Sequence, residues 1–163
     1  MMFGLEGVST CLSSNLMTEP DDSLAWLTTP ERCEQFALNV EQRGKPELAI
    51  AARRRAVELR AALHEAATDA EREALEAVYA YERVLSVKRG RNTRATRTWQ
   101  MIDRRGIIPA VELVVARSSD STGYAALAEM GMKDKAFEAV VLRHPQLFSE
   151  EAIKRSRERL EES

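Results

Sequence analysis

The sequence predicts an all-α fold, a compact multi-helix bundle of about seven helices in one domain, residues 30–163, behind a flexible acidic tail over residues 1–29. Three observations carry this reading. Apolar residues recur at three- and four-residue spacing along most of the chain, the period of a helix with one buried face. Helix-start signals stand ahead of those stretches, as Thr29-Pro30-Glu31, as Thr68 with Glu71, and as Ser149-Glu150-Glu151. No stretch shows the sustained alternation of apolar and polar residues that marks a strand.

A chain of 163 residues with 44% apolar and 31% charged content can bury a real core and is not of the disordered class. No apolar run approaches the length needed to cross a bilayer, so no membrane partner is expected. Two cysteines, Cys11 and Cys33, are too few and too far apart for a disulfide framework or a metal site, which points to a reducing cytoplasm. Residues 1–30 contain no Lys or Arg and carry Glu6, Glu19, Asp21 and Asp22, unlike a secretory signal. Met17 is a second candidate start of translation. Leu24, Trp26 and Leu27 are the residues able to tack the tail onto the body.

The first helix starts at Pro30, capped by Thr29, and stops at Gly44, with Phe36 and Val40 on its inner side and Cys33 as a small buried residue. Pro46 starts a second helix running to about Glu65, with Leu48, Ala52, Leu59 and Leu63 as its buried stripe and many alanines that permit close helix approach. Its Arg53, Arg54, Arg55 and Arg60 are interspersed with acids and read as a solvated, internally balanced face. A third helix opens on the Thr68/Glu71 capping box and runs to about Lys88, burying Ala74, Val78, Tyr81 and Leu85, with Gly90 as its stop.

An internal echo follows. Ala110-Val-Glu-Leu-Val-Val-Ala-Arg117 matches Ala136-Phe-Glu-Ala-Val-Val-Leu-Arg143, and both are preceded by a glycine and an apolar residue, Gly106-Ile107 and Gly131-Met132. This predicts two similar C-terminal helical hairpins, roughly 99–117 and 124–143, joined by a polar connection at 118–123 in which Ser121 or Thr122 caps the next helix. Each turn has one glycine, whereas the helix-hairpin-helix motif has two separated by one residue, so no binding residue is assigned to these turns. His144-Pro145 closes the second hairpin. A last helix from Ser149 to about Leu160 alternates Lys and Arg with Glu, as solvated helices do.

One stretch departs from this background. Between Lys88 and Arg105 seven basic residues, Lys88, Arg89, Arg91, Arg94, Arg97, Arg104 and Arg105, stand against one acid, Asp103, in a chain whose net charge is −2. With Thr93 as N-cap, a helix over Arg94–Arg105 would put Arg94, Arg97, Arg104 and Arg105 on one face around Met101, and Ala95, Trp99 and Ile102 on the other. Trp99 would anchor the helix while the guanidinium groups meet a line of phosphates. Arginine is also a good helix former, and acids from neighbouring helices could neutralise the face inside the fold.

No catalytic constellation is visible. His64 and His144 are the two histidines; His64-Glu65 lacks the second histidine of a zinc-protease helix, and Glu71, Glu73 and Glu76 spread around their helix rather than converging. No metal or cofactor is expected. The reading is a non-enzymatic nucleic-acid-binding protein, DNA favoured over RNA, whose seven basic residues form the nucleic-acid surface. The competing reading is a helical interaction module whose arginine face docks an acidic protein partner or a second copy of the chain.

Overall fold

The computed structural model describes residues 22–117 and 122–162. Most of the acidic tail and the connection at 118–121 lie outside the described residues. Within them the fold is all-helical, with eight α-helices and no strand. They are α1 (Pro30–Gln42), α2 (Pro46–Ala61), α3 (Asp69–Arg89), α4 (Thr96–Arg105), α5 (Ile107–Arg117), α6 (Thr122–Glu129), α7 (Phe137–Arg143) and α8 (Glu150–Glu161). Short 3-10 turns occur at Asp22–Leu24, Lys133–Lys135 and Pro145–Leu147. No described helix is long and apolar enough to cross a membrane.

Local signals set several boundaries. The Thr29 hydroxyl accepts from the Arg32 N–H, and the Ser149 hydroxyl accepts from the Ala152 N–H. Thr68 Oγ1 accepts from the Glu71 N–H while the Glu71 carboxylate takes the N–H of Ala67, one residue before the usual capping-box partner. At its other end α3 closes in a Schellman turn: Arg91 N–H donates to Ser86 O and Gly90 N–H to Val87 O, with Gly90 at φ 64°.

α3 is the central element. It packs against α2, α5, α6 and α7, and buries Ala74, Leu75, Ala77, Val78, Ala80 and Val84 among them. One apolar cluster gathers Leu75, Val78, Trp99, Val111, Val115, Phe137, Val141 and Phe148 from α3, α4, α5, α7 and the approach to α8. A second joins α1 to α2 through Cys33, Ala37, Val40, Ala49, Ala52 and Ala56, and Leu24 and Leu27 are buried in it, so the segment before α1 is tacked down at those residues. Trp26 is 58% exposed and meets Phe36 edge-on. The third, Val57, Val84, Tyr124, Leu127 and Met132, seats α6 on α2 and α3.

Two expectations need correction. α2 ends at Ala61, and its buried face is Ala49, Ala52, Ala56, Val57 and Ala61; Leu63 is 79% exposed and Leu48 and Leu59 are only half-buried. The alanines do permit the close approach of α1 and α2 that their number suggests, and they form the buried face themselves in place of the leucines. The second hairpin is also not a copy of the first. α4 and α5 pack directly, separated by Gly106 alone, whereas α6 packs on α3 and the turn at 133–135 intervenes before α7. Of the two hairpin glycines only Gly131 forms a Schellman turn, with Met132 N–H donating to Leu127 O and the Met132 and Leu127 side chains buried together. At φ 69° a Cβ on Gly131 would also stand 2.9 Å from Ile50 Cγ2, so glycine is required there on two counts.

Polar groups inside the bundle are mostly paired. Lys135 is 6% exposed and reaches Glu76 at 2.7 Å and Glu58 at 3.1 Å. Arg159 reaches Glu138 at 2.8 Å and also donates to Val115 O. Ser156 is an exception: its hydroxyl is fully buried with no hydrogen-bond partner among the described residues. An unpaired buried hydroxyl costs about 1–3 kcal/mol. Ser156→Ala is therefore expected to hold or raise the melting temperature, and a clear drop in calorimetry would show that the hydroxyl is paired after all.

Candidate nucleic-acid interface

α4 is built differently from the sequence expectation. It begins at Thr96, with Ala95 at its cap position, and Thr93 does not cap it. Thr93 is buried, its N–H donates to Ser86 Oγ, and its own hydroxyl donates back to Arg91 O. The start of α4 is instead held from α3: Glu82 Oε1 accepts the Ala95 N–H at 2.9 Å and the Trp99 indole N–H at 2.6 Å. A carboxylate at this end also suits the positive pole of the helix. No local pattern announces Glu82, which lies thirteen residues from Ala95.

Trp99 fixes the inner face of α4. It is 6% exposed, stacks on His64 at 5.0 Å and meets Tyr79 edge-on at 5.4 Å. His64 Nε2 lies 2.6 Å from the Tyr79 hydroxyl, so the α2–α3 turn, α3 and α4 are locked through one aromatic cluster. Burial, and then the Glu82 charge, push the Tyr79 phenol above its ordinary value, consistent with a neutral hydroxyl in that cluster. Arg94 lies before α4, not on it, with its guanidinium carbon 5.4 Å from the Trp99 ring centre.

The structure divides the seven basic residues into three sets. Arg97, Arg104 and Arg105 line a concavity of about 730 Å³ beside α4. Arg94 covers Trp99. Lys88, Arg89 and Arg91 sit at the end of α3 and in the turn before α4, all exposed, and do not line the concavity. A fourth arginine, Arg117 at the end of α5, does line it. Arg117 stands out in the sequence only as the partner of Arg143 in the internal echo; its place beside α4 depends on the α4–α5 packing. Met101, Leu113 and Val114 contribute apolar surface, with Tyr81, Tyr124 and Phe137 deeper. The acid in the lining is Glu138, already held by Arg159.

Among the described residues, none of Lys88, Arg89, Arg91, Arg94, Arg97, Arg104, Arg105 or Arg117 forms an ion pair. The α2 patch is the contrast. Arg53 reaches Glu41 at 2.5 Å, Arg54 reaches Asp134 at 2.6 Å, and Arg60 reaches Glu34 at 3.4 Å. Burial would raise the Asp134 carboxyl, but the Arg54 guanidinium holds it below the ordinary carboxylate range, so that arginine has a resident counter-charge. Placement in the last turn of a helix explains why Lys88, Arg89, Arg104, Arg105 and Arg117 are tolerated, since cations there are worth about 0.3–1 kcal/mol each. It does not explain Arg97, in the first turn of α4, and it supplies no counter-ion.

Comparison with protein-family models, with curated proteins and with solved structures finds no match for this chain.

Proposed function

We propose that this chain binds nucleic acid through the arginine side of α4, with Arg97, Arg104, Arg105 and Arg117 contacting phosphates and Lys88, Arg89, Arg91 and Arg94 extending the positive field toward the end of α3. One observation carries the reading. The fold pairs Arg53, Arg54 and Arg60 of α2 with acids of its own and leaves this whole stretch without ion pairs among the described residues. Unpaired guanidinium groups arrayed on a rigid helix release counter-ions from a polyanion and gain bidentate contacts with its phosphates. The net charge of −2 does not oppose this, because the local field decides where a polyanion lands.

The test is fluorescence anisotropy with labelled duplex DNA, single-stranded DNA and RNA across a salt series. Affinity should fall steeply with salt. The double variant Arg97→Ala/Arg104→Ala should bind at least tenfold more weakly and flatten the log–log salt dependence by about 2. Its helicity should be unchanged, as both side chains are exposed. Unaltered binding by that variant would remove α4 from the interface. An acidic protein partner is the competing occupant, and it becomes the reading to pursue if no nucleic acid binds even at low salt.

A further inference from the structure

We infer that the concavity beside α4 receives unstacked bases, so that the chain prefers single-stranded to duplex nucleic acid. This rests on the nucleic-acid reading above and names the form of the ligand.

The argument is one of shape and lining together. A protein that reads a duplex pushes a convex element into a groove of the rod. Here the arginines of α4 do not crown a ridge. Arg97, Arg104 and Arg105 form one wall of a concavity of about 730 Å³, and α5, α6, α7 and Tyr81 of α3 form the rest. A stiff duplex presents its phosphates on the outside and its bases stacked within, so it can offer charge to the arginine rim but nothing to the interior. The interior mixes apolar with polar side chains: Met101, Leu113, Val114 and Tyr81 are half-buried in its lining, beside Thr98 and Gln100. A flexible strand satisfies both parts, with phosphates on the rim and a base turned inward against apolar and aromatic side chains.

Two further details fit this occupant. The Glu138 carboxylate in the lining is held by Arg159 at 2.8 Å, so it does not oppose a phosphate. Gly123, on α6, lines the concavity, and a Cβ placed there meets nothing within 4 Å. The space is therefore open at Gly123, and a large side chain there can occupy it without a clash at its root. Phenylalanine is also a better helix residue than glycine, so the substitution does not threaten α6.

The experiment compares three probes of equal length, about 12 nucleotides: a labelled oligothymidylate, the same backbone made abasic, and a matched duplex. Each is titrated at one low salt concentration against the wild type, Gly123→Phe and Arg97→Ala/Arg104→Ala. The inference expects the single strand to bind at least tenfold more tightly than either the abasic strand or the duplex. It expects Gly123→Phe to lose that advantage while keeping the weaker, charge-driven binding shared by all three probes. Equal binding of the three probes, or a single-strand preference untouched by Gly123→Phe, overturns the inference and leaves the arginine surface standing if the arginine double variant still fails to bind. Absence of binding by every probe overturns both.

Discussion

Trp99→Ala is expected to lower the stability of the protein by about 3–5 kcal/mol, the range for removing a buried large aromatic side chain. For a chain of this size that is a fall in melting temperature on the order of 10 °C. The indole is 6% exposed and fills the space between His64, Tyr79 and the first core cluster. Its loss also removes one of the two N–H groups that Glu82 accepts, so α4 loses packing and an electrostatic tie at once. Trp99→Phe keeps most of the packing and removes only the N–H, and should cost about 1–3 kcal/mol, as for a hydrogen bond to a charged group. Circular dichroism melts of the two variants separate the contributions. If the alanine variant melted with the wild type, the anchoring of α4 described above would be wrong.

Lys135→Ala should be of similar size. Lys135 Nζ bridges Glu76 and Glu58, and both Lys135 and Glu76 are nearly enclosed, at 6% and 9% exposure. Removing the lysine leaves a buried carboxylate without its counter-charge, which costs about 3–5 kcal/mol. Replacing both charges, as Lys135→Met with Glu76→Leu, should recover most of that loss, because the well-packed apolar pair needs no desolvation. Urea unfolding at a constant slope reads the difference as a shift in midpoint. A single variant that unfolds with the wild type would mean that Glu76 is solvated.

What could be read from the sequence was local. Thr29, Thr68, Gly90 and Ser149 end or start their helices in the structure as their patterns predict, and Glu71 reaches back to Ala67, one residue beyond its expected partner. The seven basic residues of the Lys88–Arg105 stretch were visible for the same reason, as an excess within one short window. What was hidden depends on residues far apart in the chain. Thr93 looked like a cap, but a carboxylate on α3 holds the start of α4, and Arg94 falls before the helix in consequence. Of the α2 stripe Leu48, Ala52, Leu59 and Leu63, only Ala52 is fully buried, because size is the stronger signal in a sequence while close α1–α2 packing puts the alanines inside. Whether an arginine has a counter-ion cannot be read from its neighbours in sequence. Arg54 finds Asp134 eighty residues away, and Arg104 and Arg105 find no acid among the described residues.

The end of α5 depends on the last helix of the described chain. Its last carbonyls are held from α8, Ala116 O by Arg155 and Val115 O by Arg159, and Arg159 also supplies the positive charge for Glu138. A growing chain makes α4, α5, α6 and α7 before it makes α8. The ties that hold the α5 end and Glu138 thus come from a helix that contributes no side chain to the lining of the concavity, and a chain shortened before α8 has none of them.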